Sequence, residues 1–525
     1  MAVPRWEPQS ELSEREQKVM KRLGRVKKLF GFLREQRSVL FDEAFQEELA
    51  AAYRQTGAGS TAVAPAMMAM VVLLQAYTGA SDAEAVELSA MDKRWQLVLG
   101  NLGSDEPAFS QGALQAFRNR LIEHKLDERL LARSREIASQ TGGYDPKKLP
   151  KALEVAMDSV PFEGAGRVED TINLMAHAAR KILECSAAEL GRPFRELANE
   201  AGIPLLLAPS VKAGLDVNWF KPGAHEAALQ ELCSQIGSLS QWLVDDAIPR
   251  VTSPLLPYIE ALVRVQEQDL EAKKGKMEIR EGVAINRRIS IEDPQMRHGR
   301  KSQSHVINGY KRHVSVEMGT GLIVAAAVTP ANQAEHVAAE AMNQDLENQG
   351  LRIQSLSIDL GYLASPLVEH ILKRGGEVIC RARPLHRRDG RFSKLDFKVN
   401  LRTRTAECPA GEVQRLDLGK TTKFGGCAQC HLRKQCTQSK TGRSLHIARD
   451  EPLQRRLRRQ QDTRLGRHSL RKRVVVEHRQ AHLVAKQGHR ARYLGVRKNV
   501  FDTRRHAAVL NLETIQLAEI SSSNQ

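Results

Sequence analysis

Two short strand-like stretches, the apolar Leu153 to Met157 and Ile353 to Ile358, each run directly into an aspartate, Asp158 and Asp359. Runs of that length, followed by residues that break a strand, read as buried β-strands. An acid at a strand end lies on the rim of a sheet, where carboxylates from several strands can converge. Further strand signals lie between them. Ile285 to Ile291 has strand character. His313 to Glu317 alternates, Gly319-Thr320-Gly321 turns the chain, and Leu322 to Val328 returns it as a hairpin. A helix from about Ala334 to Asn348 leads into the second aspartate strand, and Gly376 to Arg381 reads as one more strand. This order predicts an α/β fold on a mixed sheet with flanking helices.

At 525 residues the chain exceeds one ordinary core, and two to four structural units are expected. Residues 1–142 read as an all-helical N-terminal domain. Glu11 to Arg34 carries a helix period at Val19, Leu23, Val26, Leu29 and Phe30. Pro65 opens an apolar helix, and Ser81 to Glu84 has the pattern of a capping box. Ser110 caps another helix, with Phe117 and Leu121 inward and Arg118 and Arg120 outward. A helix-turn-helix-like DNA-binding module and a plain helical bundle both fit this pattern. The turn-rich segment Tyr144 to Pro150 marks a boundary. A second domain, 150–515, then carries a helical insertion at 172–280 and a cysteine-bearing insertion at 385–450.

Charge narrows the class of partner. The formal net charge is +17, and Arg449 to Arg505 alone holds 18 Lys or Arg against five Asp or Glu. A field that dense is the footprint of a polyanion binder; a solvated basic face is the plainer alternative. No apolar leader opens the chain, and its longest apolar run, Ala62 to Tyr77, is shorter than a membrane span. A cytoplasmic protein without a membrane partner is the expectation, so the seven cysteines point to metal or catalysis rather than to disulfides.

Hard divalent ions such as Mg²⁺ take oxygen ligands, so Asp158 and Asp359 call for a third carboxylate. Glu477 offers one, on a predicted helix with Arg473 one turn earlier on the same face. Spacing alone leaves it open whether Glu477 binds metal or simply pairs with a cation. Asp170 and Asp293 are rival acids, the first beyond a glycine-rich loop and the second before Pro294.

Cys408, Cys427, Cys430 and Cys436, with a Cys-x-x-Cys at the centre, fit tetrahedral structural zinc. His431 could replace one thiol, and unliganded reduced thiols are the alternative. Cys185, Cys233 and Cys380 read as core residues. Arg297-His298-Gly299-Arg300-Lys301 and Tyr310-Lys311-Arg312 flank the hairpin near the expected acidic rim. Phosphate contact would position DNA there without reading its sequence. Gln454 onward reads as a basic helix leading towards Glu477.

An ordered series of motifs carries a resemblance over nearly the whole chain. It runs through Leu74 to Leu88, Arg94-Trp95 and Phe109 to Arg118. Met157 to Thr171 follows, with Asp158, then Asp293 to Lys301 and Asn308 to His313. Thr329-Pro-Ala-Asn332, Ile358-Asp359-Leu-Gly361-Tyr362, Val476-Glu477-His478 and Arg492 to Asn499 complete it. The chain resembles bacterial insertion-sequence transposases of the DDE class.

That resemblance implies a ribonuclease-H-like catalytic domain preceded by the helical one. It implies metal-dependent cleavage of double-stranded DNA at transposon inverted repeats, followed by strand transfer into target DNA. Asp158 would bridge two Mg²⁺ ions (Mn²⁺ may substitute in such enzymes), Asp359 would hold one and Glu477 the other. Arg473 would steady Glu477 or contact phosphate. Arg297, Arg300, Lys301, Lys311, Arg473, Arg479 and Arg492 are the implied DNA contacts. Some relatives carry a Lys seven residues after the Glu, where this chain has Val484, and Lys486 lies nearly half a helical turn away. A homodimer or larger assembly would pair the two ends. A DNA-binding regulator without catalysis and a structure-specific nuclease on the same fold are the other readings.

Overall fold

The computed structural model describes residues 3–23, 28–53, 62–141, 151–244, 254–301, 304–385 and 390–523. The turn-rich segment Tyr144 to Pro150 lies outside them.

The N-terminal part is helical, as its patterning requires. Pro65 sits in the first turn of an apolar helix, α1 (Pro65–Thr78), which stops at Gly79 in the left-handed region. Ser81 and Glu84 form the expected capping box, and Ser110 Oγ caps the backbone of Ala113. The single helix expected over Glu11 to Arg34 is instead divided into Glu14–Arg22 and a second helix starting at Lys28. Arg118 turns inward rather than outward: it is 8% exposed and grips Asp82 through two bonds of 2.7 Å. Both side chains are largely shielded from water, and the two-pronged ion pair satisfies the charge of each. The helical series ends in α2 (Leu126–Glu136).

The sheet has six strands: β1 (Ala152–Glu163), β2 (Arg297–Arg300), β3 (Val306–Glu317), β4 (Ile323–Pro330), β5 (Arg352–Ser357) and β6 (Glu377–Ile379). The long β3 lies antiparallel to β1 on one edge and to β4 and β2 on the other. β1 pairs in parallel with β5, and β5 with β6. The result is a mixed sheet in an α/β fold. Ile285 to Ile291 is not a strand; only an isolated bridge joins Arg288 to Arg297. The Arg288 guanidinium takes the carbonyls of Ser290 and Ile291, acceptors that a ladder would otherwise use.

Alternation on β1 sorts the two faces. Leu153, Val155 and Met157 pack with Met342 and Leu346 of α3 (His336–Asn348) and with Ile371. Ala156 faces the opposite way, into a core shared with Val314 and Val316 of β3, the N-terminal helices and the C-terminal helices. The helices of the first 136 residues therefore have no core separate from that of the sheet. The basic tract folds as four helices: α4 (Glu451–Asp462), α5 (Arg464–Lys472), α6 (Val474–Gln487) and α7 (Val496–Ser523). Asn511 of α7 clamps β4, accepting from the Ile323 amide and donating to its carbonyl, each at 2.8 Å.

Helices Thr171–Leu190, Ala224–Trp242 and Leu256–Asp269 enclose a second core around Ile182, Leu232 and Val265. A small core of Phe397, Phe424, Leu445 and Ile447 holds the cysteine-bearing segment. No helix among the described residues is long and apolar enough to cross a membrane.

Candidate active site

Asp158 is not at the end of its strand. β1 continues through Pro161 to Glu163 because β3 goes on pairing with it, from Asp158 opposite Val314 to Glu163 opposite Gly309. The parallel partner β5 stops earlier, its last pairing being Ala156 with Ser357. Asp158 thus stands where β1 loses its neighbour, and Pro161 is tolerated because one side of the strand is then an edge. Asp359 lies two residues beyond Ser357, which brings it level with Asp158 across that opening.

Glu477 arrives from α6. Val476, Gln480 and Leu483 are the buried residues of this helix, a spacing that fixes one face against the sheet. Glu477 is then left at the border of the cleft, half exposed. Gln480 Nε2 donates to the Asp158 carbonyl oxygen at 3.0 Å and locks the helix to β1. Arg473 sits between two of the acids. It donates to Asp158 Oδ1 at 2.7 Å and to Glu477 Oε1 at 3.2 Å. Its Nε is buried with no hydrogen-bond partner.

The three carboxylates line one cleft of about 770 Å³. Burial pushes the Asp158 carboxyl above its ordinary range; Arg473 opposes the rise, while Asp359 and Glu477 add to it. Three acids held this close favour a cation among them. Among the described residues no three His, Cys, Asp or Glu side chains are placed as a ready metal-binding group, and between Asp158 and Glu477 the guanidinium of Arg473 stands in as the positive charge. Oxygen donors from three separate elements are a donor set suited to hard divalent ions.

Arg300, Lys301 and Lys311 line the same cleft as the acids. Arg297 does not. It is 8% exposed, and its guanidinium is spent on Asn286 Oδ1 and on the carbonyls of Pro294 and Met296. Its expected role as a DNA contact is therefore corrected: the side chain is buried, and its Nε and Nη1 are engaged in ordering its own loop. Arg312 is likewise buried, against the Phe162 ring and Gln487. Arg479 packs beside Gly321 and donates to Thr514. The exposed Arg492 reaches the Ala80 carbonyl. Lys486 pairs with Glu513 at 2.8 Å and leaves the cleft-lining Val484 without a lysine beside it.

The rival acids have other work. Asp170 caps the helix beginning at Thr171 and pairs with Lys212. Asp293 is fully buried; it accepts from the Tyr310 hydroxyl at 2.5 Å and from the Gly495 amide at 3.1 Å. One acid that spacing did not single out does line the cleft. Glu335, just before α3, accepts a 2.6 Å bond from Ser159 Oγ, beside Asp158. The available signal was an acid at a helix start shortly after Thr329-Pro-Ala-Asn332.

Behind the cleft, the fully buried His313 ring contacts the Tyr362 hydroxyl at 2.6 Å and Thr329 Oγ1 at 2.9 Å. Burial lowers its pKa to about 3, with Lys311 adding to the effect. The unfolded ring titrates near 6.5, so the unfolded state binds the extra proton between these values. The stability the neutral ring contributes is whole above about pH 6.5 and is lost as pH falls towards 3. Thermal melts of wild type and His313→Gln across that window should show a shallower acid slope in the variant.

All four predicted zinc ligands, Cys408, Cys427, Cys430 and Cys436, line one cavity of about 280 Å³ together with His431. The backbone N–H of Arg443 donates to Cys427 Sγ at 3.3 Å. Burial raises the Cys436 thiol, Arg443 opposes, and the three other thiols raise it further. Cys380 is buried, while Cys185 and Cys233 are only partly so.

Comparison with known families assigns two parts of the chain. Residues 20–120 match the model of a Transposase domain (DUF772), and residues 410–516 match that of a Transposase DDE domain. The second span contains Glu477, Arg473 and the basic helices; Asp158 and Asp359 lie outside both. No curated protein and no solved structure matches the chain. Two separate regions of the chain are thus similar to transposase domains. More particularly, the two matches together support an insertion-sequence DDE transposase.

Proposed function

We propose that this chain cleaves DNA at transposon ends and joins the freed strands to target DNA, using divalent metal held by Asp158, Asp359 and Glu477. The observation that carries the reading is the convergence of these acids, from β1, the loop after β5 and α6, on one cleft rimmed by Arg300, Lys301 and Lys311. A ribonuclease-H-like description is supported by the sheet order. Three antiparallel strands (β4, β3, β1) continue into parallel β5 and β6, with α3 crossing between β4 and β5.

Divalent ions in such a site would activate the attacking oxygen and stabilise the leaving one. In cleavage, a water oxygen bonds to phosphorus and the bond from phosphorus to the 3′ oxygen breaks, leaving a 3′-hydroxyl and a 5′-phosphate. In joining, that 3′-hydroxyl attacks a target phosphorus and expels a target 3′-hydroxyl. This chain's own contribution is placement. Gln480 fixes Asp158 relative to α6, Arg473 ties Asp158 to Glu477, and the basic rim seats the phosphodiester. Double-stranded DNA carrying inverted repeats is the substrate, and pairing two ends calls for two or more copies of the chain.

The test uses pre-cleaved ends, donor plasmid and Mg²⁺ or Mn²⁺. Joined product supports the proposal. Nicks alone would make the protein a nuclease, and binding alone a DNA-binding regulator. Binding should also fall steeply with salt, since phosphate neutralisation releases counterions. Alanine at Arg300, Lys301 or Lys311 is expected to lower the slope of log affinity against log salt by about one per lost contact; an unchanged slope removes that residue from the interface.

The four cysteines are proposed to hold one structural Zn²⁺, which would staple a segment whose own core is only a few side chains. Purified protein should carry one zinc per chain, and Cys430→Ser should lose it. Cleavage by protease within 392–447 should then accelerate at least about tenfold, while the sheet core stays protected. Protein without zinc that resists protease equally would show the thiols to be unliganded.

A further inference from the structure

The acids of the cleft fall into two pairs that are treated differently. Asp158 and Glu477 share the Arg473 guanidinium. Asp359 and Glu335 form the other pair, and among the described residues neither has a cationic partner. Their closeness is fixed by Gly361. A Cβ built on that residue would lie 1.9 Å from Glu335 Oε2 and 3.3 Å from Asp359 Oδ1. Both carboxylates therefore crowd one point beside the backbone of Gly361, which only a residue without a side chain leaves open. The Gly361 amide donates to Asp359 Oδ1 at 3.0 Å and turns that acid towards the same point.

Glu335 is also tethered. Alternation on β1 sends Asp158 to the α6 side and Ser159 to the α3 side, and the Ser159 hydroxyl holds Glu335 Oε1 at 2.6 Å. The register that places Asp158 thus places Glu335 as well. Burial raises the Tyr362 phenol, and Glu335, Asp158 and Asp359 add to the rise. Two anions side by side without a cation repel one another, and holding them there with a hydroxyl tether and a glycine is costly unless a cation completes the set.

We infer that Glu335 is a fourth metal-ligating carboxylate of this cleft, sharing with Asp359 the divalent ion on that side. The inference rests on the proposed metal-dependent reading and adds to it a residue outside the Asp158, Asp359 and Glu477 set. It also assigns the asymmetry of the site: the Asp359–Glu335 side is open to a cation, whereas the Asp158–Glu477 side is filled by Arg473 until that side chain moves.

The test is Mn²⁺ binding to the full, DNA-free chain, read by electron paramagnetic resonance of the free ion. Glu335→Gln removes the charge but keeps an acceptor for Ser159. Wild type is expected to bind Mn²⁺ at the Asp359 side, and Glu335→Gln to weaken that ion about tenfold or more. Asp359→Asn should weaken the same ion. Thermal melts give an independent readout. Metal-free Glu335→Gln should melt above wild type, because a repulsion is gone, and its Mn²⁺-dependent rise in Tm should shrink. A merely structural Glu335 would leave the Mn²⁺ affinity and that rise unchanged, and this result overturns the inference. Wild type binding no Mn²⁺ would overturn the carboxylate-site reading itself, and the fourth ligand with it. Should Glu335→Gln fail to fold, Glu335→Asp decides, with intermediate affinity expected and wild-type affinity overturning.

Discussion

Asp158→Asn should reduce strand cleavage and strand joining by on the order of 10³-fold or more, the scale of deleting one electrostatic contact to a transition state in an enclosed site. DNA binding should be retained or slightly strengthened. The substitution keeps the shape of the side chain and the Gln480 bond, which goes to the backbone oxygen of residue 158. It removes the charge that faces Arg473, Asp359 and Glu477. Asp359→Asn and Glu477→Gln are expected to match it in cleavage. Their binding should differ in sign from a loss of DNA contacts, because removing negative charge from a cleft rimmed by Arg300, Lys301 and Lys311 favours a polyanion. Cleavage at wild-type rate by any one of the three would exclude that residue from the site. Gel-shift and cleavage assays on the same preparation separate the two effects.

Asp127→Ala should destabilise the fold by about 3–5 kcal/mol, the usual cost of leaving buried charge uncompensated. Asp127 is 1% exposed. It accepts from Arg497 and, at 2.9 Å, from Arg504 of α7. Arg504 continues at 2.6 Å to Asp345 of α3. One carboxylate on α2 thereby ties the N-terminal helices, the C-terminal helix and a helix beside the sheet into one network. Its loss leaves the 7%-exposed Arg504 side chain with only Glu128 and Asp345 of its three carboxylate partners. Urea denaturation should show a lower midpoint, and a midpoint within about 0.5 kcal/mol of wild type would mean that water or Asp345 replaces the lost partner. Because α7 also packs on β4, the same variant should reduce protection of the hairpin amides around Ile323 in hydrogen exchange.

Much of the fold is legible in the residues. Pro65, the Ser81–Glu84 box and Ser110 start helices where local capping says they should, since a cap is decided by atoms within a turn. The hairpin from β3 to β4 and the strand before Asp359 are equally local. The reading of Ile285 to Ile291 as a strand failed because the Arg288 side chain takes the carbonyls of Ser290 and Ile291 and only one isolated bridge, to Arg297, forms. Arg118 and Arg297 show the same limit from the other side. The helix pattern placed Arg118 outward and the basic loop placed Arg297 among the cations, but burial against Asp82 and within the loop around Pro294 engages both.

The site divides along similar lines. The chemical demand for several acids, and the candidates Asp158, Asp359 and Glu477, come from the strand pattern for the two aspartates and from motif resemblance for the glutamate. What the sequence alone determined is which elements form and which side chains have the chemistry for metal and phosphate. Tertiary structure decided where they meet. The end of β5 two residues before Asp359, the face of β1 on which Asp158 stands and the packing of Val476 and Leu483 set the cleft. Pairwise distances between residues so far apart in the chain depend on register and packing, and neither leaves a local trace. For that reason the two aspartates were visible at once, whereas Glu335 and the bridging position of Arg473 emerged only from the folded chain.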